Sequence, residues 1–570
     1  MSAARRMPHD LSADYVVVGA GSAGAALAAR LSEDPSVSVL LLEAGPPDRA
    51  LELHVPAAFS RLFRGRYDWN YDTVAQPELE DRTVYWPRGK TLGGSSSLNA
   101  MMWIRGFAAD FDDWAEVAGE RWSWKCLVPY FRRVERTQDA ADPTQGTAGA
   151  VSVEHQRDPR SHTAAFLAAA AEAGHAVTAP NLPAGQGFSR TMVSQRRGAR
   201  ASTADAYLRP ARRRRNLRVV TGALVRRVTF ASAAEGAHLP SREWPRSPAE
   251  VASFPRESGL VPRATGVYVQ IDGITRHALA RREVILAGGT VNTPQLLMLS
   301  GIGPAAHLDD HGIPLVVDSP DVGANLQDHL VAGLAPAAHG GTLFGAERVG
   351  ELARYLSARR GMLTSNVAEA YGFVRTEVAD RTAMPDALPD IEIIFASAPY
   401  VGEGLVPLPA EGLTVGAILL RPRSRGTIRL RSADPADKAV IDPRYLSDPD
   451  GIDRATILAG LAECERLLAT DALRAVTTGG WVQPEGGERM TAAERAELSL
   501  RRYSHTLYHP VGTARMGSDA GSVVDPELRV RGVNGLRVAD ASVMPTLIRG
   551  HTNAAAIVVG EVAADLIRNR

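Results

Sequence analysis

The feature that most constrains this chain is a glycine loop held between a strand and a helix. Asp14-Tyr-Val-Val-Val18 is a short apolar run that reads as a buried parallel strand, and Gly19-x-Gly21-x-x-Gly24 follows at once. The first glycine permits a tight turn, the second lets backbone approach a pyrophosphate, and the third lets a helix pack closely on the strand. A small-residue helix is expected from Ala25 to Leu31, then a second strand from Val37 to Leu42 that ends at Glu43. This βαβ unit makes the fold class α/β. The helix N-terminus, next to Ser22 and Ala23, offers unpaired N–H groups to phosphates. Glu43, followed by Ala44, stands where a carboxylate about 20 residues past the glycines accepts bonds from ribose hydroxyls. The glycines alone would also serve helix–strand packing. Strand, glycines, helix, strand and acid in that order predict dinucleotide binding. An acid there disfavours a 2′-phosphate, so FAD or NAD is preferred over NADP, and the loop does not choose between those two.

A chain of 570 residues exceeds what one hydrophobic core usually serves, so two domains are expected. A hydrophobic content of 45% and a charged content of 22% are those of an ordinary soluble globular protein. The formal net charge of +0 gives no global field toward nucleic acid, acidic lipid or an acidic substrate. Cys126 and Cys464 are far apart and lack metal-ligand spacing, so neither a disulfide framework nor a metal site is expected, which suits a reducing cytosol. Met1 to Ala13 carries Arg5 and Arg6 without a following apolar region, and glycines interrupt the run from Tyr15. Neither a signal peptide nor a membrane span is expected, and the expected location is the cytoplasm. Oligomeric state is left open, a homo-oligomer included.

Further along, Val219 to Phe230 reads as one strand with Ala264 to Ile271 as its hairpin partner. The stretch between them, 231–263, is rich in Pro, Ser, Arg and Glu and reads as a surface insertion. Glu283 to Ala287 is another buried strand, followed by Gly288, Gly289 and a helix over Pro294 to Leu299. Gly535 to Ala539 reads as a strand that delivers Asp540, and Asn553 to Ile567 has helical apolar spacing. Motifs at both ends and in the middle imply a discontinuous cofactor domain, with the intervening material forming a second domain.

Arg88-Gly-Lys-Thr-Leu-Gly-Gly-Ser-Ser-Ser-Leu-Asn99 is more specific than the first loop. Gly93 and Gly94 allow backbone to lie flat against a ring or phosphate, and Ser95 to Ser97 supply short hydrogen-bonding groups. Met101, Met102, Trp103 and Ile104 follow, so this polar loop enters a core.

With these residues in place the chain resembles the glucose–methanol–choline (GMC) oxidoreductases, choline-dehydrogenase-like members included, over nearly its whole length. Gly89 to Asn99 looks like the first family signature and Gly289 to Gly303 like the second. Asp68-Trp-Asn70, Asn325-Leu-Gln-Asp328 and His509-Pro-Val-Gly-Thr513 look like further family elements. The resemblance implies a Rossmann-like FAD-binding domain from residues 1–155, 203–320 and 520–570. It also implies an α+β substrate domain on an antiparallel sheet, from 156–202 and 321–519. It implies bound FAD. Gly19, Gly21, Ser22, Ala23, Gly24, Glu43 and Ala44 would hold the ADP half, and Val225 would meet adenine through its backbone. Trp69, Arg88, Leu92, Gly93, Gly94, Ser95 and Asn99, Ala100, Met101 and Met102 would line the pyrophosphate and flavin. Some members attach the flavin through a His just before the Asn of the first signature. Leu98 stands there and has no nucleophile, so the FAD is expected to be noncovalent.

Oxidising an alcohol carbon removes a hydroxyl proton and a hydride. Histidine, with a pKa near ~6.5, is suited to take the proton. His509 lies in Tyr508-His-Pro-Val-Gly-Thr513, where Pro510 and Gly512 fix an unusual backbone. An arbitrary histidine is most simply a buried ring bonded to a carbonyl, but this motif resembles the one that carries the family's catalytic His. His551, in Gly550-His-Thr-Asn553, matches the second catalytic place, and Thr552 or Asn553 is expected to cap the last helix. That helix N-terminus, with Asn553 and Ala554, would stabilise an anionic reduced ring, and Asp540 and Ala541 would contact the cofactor nearby. Tyr503, His505, Trp103 and Glu369 are secondary candidates. Glu369 matches an acid placed near a cationic substrate in choline-oxidising members, and reads slightly better as a structural carboxylate paired with an arginine. The implied reaction is oxidation of a small alcohol, with oxygen or a quinone-type carrier as final electron acceptor. The same fold also hosts hydroxynitrile lyases and a light-driven fatty-acid decarboxylase. The latter lacks the histidine pair and carries a Cys where Ala368 stands.

Overall fold

The computed structural model describes residues 11–183, 185–231, 261–382 and 387–569, so most of the 231–263 stretch lies outside the described residues. Two seven-stranded sheets organise it. In the first, Leu11–Val18 runs parallel to Val39–Glu43 on one side and to the end of Ile274–Leu286 on the other. Val16, Val17 and Leu41 are wholly buried, as expected for strands covered on both faces. Leu217–Thr221 extends the sheet beside Val39–Glu43, and Leu536–Val538 pairs with 284–286 at the far side. Residues from the beginning, middle and end of the chain thus share one α/β layer.

Three local expectations shift. The first helix runs Ser22–Leu31 rather than from Ala25, placing Gly24 in its first turn. A Cβ at Gly24 would meet the Gly19 carbonyl oxygen at 2.0 Å, so only glycine lets the helix start this close to the strand. The single strand expected over 219–230 is two, Leu217–Thr221 and Ala223–Ala231, split at Gly222, whose φ is +66°. The second of these pairs antiparallel with Arg263–Ile271, which in turn pairs with the first part of Ile274–Leu286. The helix expected from Pro294 begins at Gly289, because the Asp540 carboxylate accepts from the Gly289 N–H (2.8 Å) and the Thr293 hydroxyl (2.6 Å). Pro294 cannot donate to the Thr290 carbonyl; the Thr513 hydroxyl donates to it instead at 2.6 Å.

The second sheet is antiparallel, in the order Thr477–Gln483, Leu330–Ala338, Thr414–Leu419, Ile391–Ala396, Ala368–Val374 and Gly187–Arg190, with His505–Thr506 pairing onto Leu330 and Val331. Helix Ile452–Leu468 covers one face, where Gly460 lies against Ala417 and Ile391. The other face fronts a cavity shared with the first sheet. The last helix, Thr552–Arg568, packs on the first helix through Gly560, whose missing Cβ would fall 2.4 Å from the Ala23 carbonyl oxygen. Among the described residues no helix is long and apolar enough to cross a membrane.

Candidate active site

A cavity of about 460 Å³ runs from the glycine loop to the second sheet. At one end Gly19 adopts φ +102° with its missing Cβ 2.3 Å from the Ala287 carbonyl oxygen, which turns the chain off the strand. Gly21 and Gly94 face each other: a Cβ on Gly94 would stand 2.7 Å from the Gly21 Cα. Neither helix that starts at the cavity, Ser22–Leu31 or Thr552–Arg568, has its first turn capped by a side chain. Their leading N–H groups are therefore available to an anion. The Ser22 hydroxyl donates to Asn553 Oδ1 at 2.7 Å and holds the two helix starts together. Glu43 borders the cavity and accepts from the N–H groups of Ala20 (2.9 Å) and Gly45 (2.8 Å), while burial pushes its carboxyl up to about 7. A bare-backbone cradle, two open helix N-termini and an acid beyond them are the donor and acceptor set that a dinucleotide requires. The residues present fit such a group.

At the other end the two histidines meet. The rings of His509 and His551 stand 4.5 Å apart between centroids, both line the cavity, and they are only 9% and 7% exposed. His509 is aimed by its backbone. Tyr508 before it adopts φ +68° and Gly512 after it φ +92°, and the His509 N–H donates to Asp328 Oδ1 at 2.9 Å. The His509 Nδ1 lies 3.0 Å from Nδ1 of a third histidine, His329, whose Nε2 lies 3.2 Å from the Leu420 carbonyl oxygen. A carbonyl only accepts, so the tautomer that serves the Leu420 contact has the His329 proton on Nε2 and its Nδ1 facing His509 as an acceptor. His509 then carries its proton on Nδ1, and its Nε2 lone pair is free. Burial and the neighbouring histidines hold His509 well below the usual histidine range, and burial takes His329 down to about 3. Both rings are neutral near pH 7. His551 is fixed from behind by Glu392, whose carboxylate oxygens lie 3.2 and 3.3 Å from its Nε2. It is itself the N-cap of the last helix, a place expected for Thr552 or Asn553, and its own N–H donates to the Ile104 carbonyl at 3.0 Å.

Of the sequence-predicted cofactor residues, Gly19, Gly21, Ser22, Ala23, Glu43, Ala44, Trp69, Arg88, Gly94, Ser95, Asn99, Ala100, Met101, Met102, Val225, Asp540, Ala541 and Asn553 line this cavity. Gly24, Leu92, Gly93 and Ala554 stand behind the lining. Gly93, at φ +85°, donates its N–H to the Ala20 carbonyl (2.8 Å) and so joins the two loops. Leu92 packs on the first core and Ala554 is buried within it. Arg88 Nη2 donates to the Tyr508 carbonyl at 2.6 Å, tying the serine-rich loop to the segment that carries His509.

Tyr503 and His505 also line the cavity, whereas Trp103 and Glu369 do not. The Trp103 indole donates to Glu135 at 2.8 Å. Glu369 is wholly buried and accepts from the Thr163 and Ser365 hydroxyls and the Arg160 backbone N–H, at 2.5, 2.6 and 2.7 Å. It is held by hydroxyls and an amide rather than by the arginine guanidinium expected, and it does not line the cavity. His329 and Glu392 were not singled out from sequence, and Asp328 was named only as the end of a family-like motif, without a role. His329 follows directly on the Asn325-Leu-Gln-Asp328 motif, and Glu392 interrupts the apolar run Ile391–Phe395; those were the available signals.

The chain matches the GMC oxidoreductase family model in two segments, 13–331 and 422–560. It is 53% identical to a GMC-type oxidoreductase of Mycobacterium tuberculosis, with 98% of this chain and 100% of the relative covered. It is 39% identical to an alcohol dehydrogenase [acceptor] of Pseudomonas putida, over 97% of this chain and 95% of the relative. Its structure superposes on that of pyridoxine 4-oxidase from Mesorbium loti with a TM-score of 0.82 at 31% identity, covering 98% of this chain and 99% of the other. With these matches and the cradle and histidine pair described above, the chain belongs to the GMC oxidoreductase family.

Proposed function

We propose that this protein oxidises an alcohol to the carbonyl compound with FAD as the group that takes the electrons. The observation that carries the reading is the pair of imidazoles, His509 and His551, 4.5 Å apart in the cavity that the glycine cradle opens into. Gly19, Gly21, Ser22 and Glu43 would hold the ADP half, Val225 the adenine, and Gly94, Ser95, Met101 and Met102 the ring. When bound, FAD supplies the acceptor for the hydride. The protein supplies the rest. His509, neutral and with a bare Nε2, takes the hydroxyl proton, a placement worth roughly 10²–10⁴ in rate. His551, its ring held by Glu392, orients the substrate oxygen. The uncapped start of Thr552–Arg568 would offer about half a positive charge to negative charge on a group held in the cavity. Leu98 offers no nucleophile, so the FAD is held noncovalently, and acid precipitation should leave all the flavin in the supernatant.

The test is anaerobic. Purified yellow protein mixed with aliphatic, aromatic, sugar and quaternary-amine alcohols without oxygen should bleach with at least one of them. A flavin that stays oxidised with every alcohol, while the protein cleaves a cyanohydrin, would point to the lyase chemistry of the same fold.

A further inference from the structure

The second sheet presents three rows of side chains to the cavity. Val331 pairs with Ile418 and Ile418 with Glu392, the residue that holds His551; one step along the strands, Gly333 pairs with Gly416 and Gly416 with Ile394. The third row brings Thr414 beside Ala396. Residues two apart share a face, so the glycine pair lies on the histidine side of the sheet, one row away from Glu392. Both glycines line the cavity.

Nothing in the backbone demands glycine at Gly333. Neither glycine has a positive φ, and the pairing of 331–334 with 415–418 runs without a bulge. A Cβ at Gly333 would find only Thr414 Cγ2 at 3.3 Å and otherwise ordinary spacing; at Gly416 it would meet the Ala332 carbonyl oxygen at 3.1 Å, Ile394 Cγ2 at 3.3 Å and the Gly333 Cα at 3.4 Å, so the sheet itself crowds that position and Gly333 is the more telling of the two. Glycine inside a strand weakens it, and in the absence of a bulge or bend it marks close approach by a ligand or by another backbone; at Gly333 no other backbone comes closer than 3.9 Å to a Cβ, which leaves the ligand. Two of them side by side make a trough that begins next to the catalytic pair.

The walls of the trough are uncharged and several of their polar groups are already engaged, while Tyr503, together with Gln483 and His505 on strands that pair with Leu330–Ala338, borders the cavity. The Thr414 hydroxyl donates to the Ala398 carbonyl (2.8 Å) and accepts from the Tyr400 N–H (2.7 Å). The Asn366 amide donates to the Ala368 carbonyl (2.8 Å) and accepts from Gln156 (2.6 Å). The Tyr400 and Tyr508 hydroxyls bond each other at 2.8 Å. Val331, Ile394 and Ala396 supply apolar surface. Among the described residues the carboxylates that line the cavity, Glu43, Asp437 and Asp540, belong to the dinucleotide side, and Glu392 is occupied by His551. The charged cavity group tied to the His509 segment is the cation Arg88.

We propose that the lobe over Gly333 and Gly416 receives the apolar chain of a neutral alcohol, and that these two positions decide which chains enter. This rests on the alcohol-oxidation reading and narrows it: a quaternary ammonium alcohol finds no counter-charge here, whereas each methylene laid in the trough leaves water.

The experiment titrates the FAD-loaded protein and its Gly333→Val and Gly416→Ala variants with ethanol, 1-hexanol and choline. Binding is read from perturbation of the oxidised flavin spectrum, and chemistry from anaerobic flavin reduction. In the unmodified protein, reduction efficiency should rise about fourfold per added methylene, with choline neither binding nor reducing. Gly333→Val should lose at least tenfold on 1-hexanol while ethanol stays within about threefold, and Gly416→Ala should shift in the same direction by less. A flat response to chain length, a preference for choline, an equal fall on both alcohols, or loss of flavin from both variants would overturn the proposal. The two readings separate cleanly. If 1-hexanol binds the unmodified protein without reducing the flavin, and the variants weaken that binding, the trough stands and alcohol oxidation falls. If ethanol reduces the flavin and 1-hexanol does no better, the trough falls and the oxidation reading stands.

Discussion

In the proposed reaction His509 acts as the base through whichever nitrogen carries no proton, and its contacts two residues away in space bear on which one that is. The Leu420 carbonyl fixes His329, and His329 fixes His509. His509→Ala should lower turnover by roughly 10²–10⁴ while FAD remains bound, as read by steady-state kinetics beside the flavin absorbance of the purified variant. Full activity in that variant would remove His509 from the mechanism. The pH profile has a definite sign. The proposed base is the neutral His509 ring, and burial lowers its pKa, so the neutral form persists into acid. The acid limb of kcat/KM should therefore lie below the ordinary histidine value of 6.5, with a plateau above it; a limb at or above that value would contradict this environment. His509 and His551 were legible because short motifs surround them. Glu392 was not, since no local rule tells an acid in a buried strand that it will face a histidine 159 positions away.

Among the elements, the pair formed by the first and last helices decides whether the cradle exists. Ser22–Leu31 and Thr552–Arg568 touch through Ala23 and Gly560, and they are clamped by the buried Glu561, which accepts from Arg30 (2.9 Å) and Tyr207 (2.8 Å) and forms an ion pair with Arg133 (2.8 Å). Periodicity indicated a helix over 553–567, and the structure extends it by a residue at either end. What periodicity did not show is that the helix is buried on nearly all sides, Glu561 included. Gly560→Val should push the helices apart at a cost of about 1–3 kcal/mol, seen as a lower unfolding midpoint together with weaker FAD retention. A variant with unchanged Tm and flavin content would show that the contact carries no strain. The same logic explains Val219 to Phe230: alternation persists through Gly222, and only its left-handed backbone reveals that two strands with different partners meet there.

For the whole molecule, the cavity lies between the two sheets, so a dinucleotide bound there contacts chain from the beginning, middle and end. A ligand that binds only the folded state stabilises it by mass action, about 2.7 kcal/mol at 100 times its Kd. Protein stripped of flavin should therefore unfold at a lower temperature, and added FAD should raise the midpoint in a concentration-dependent way, measured by calorimetry. A midpoint that ignores FAD would argue against noncovalent, reversible binding.

By itself the sequence determined the α/β class and the glycine cradle with Glu43, which depend on local backbone freedom and short spacings that can be read along a chain; the two facing histidines were picked out only through the resemblance of their motifs to those of the family. Only the tertiary structure decided that His329 and Glu392 stand behind the pair, that Glu369 does not face the cavity, and that Gly333 and Gly416 lie side by side on its floor. The reason is physical: hydrogen-bond partners and cross-strand neighbours are set by how distant segments pack, and packing leaves no mark on the residues in between.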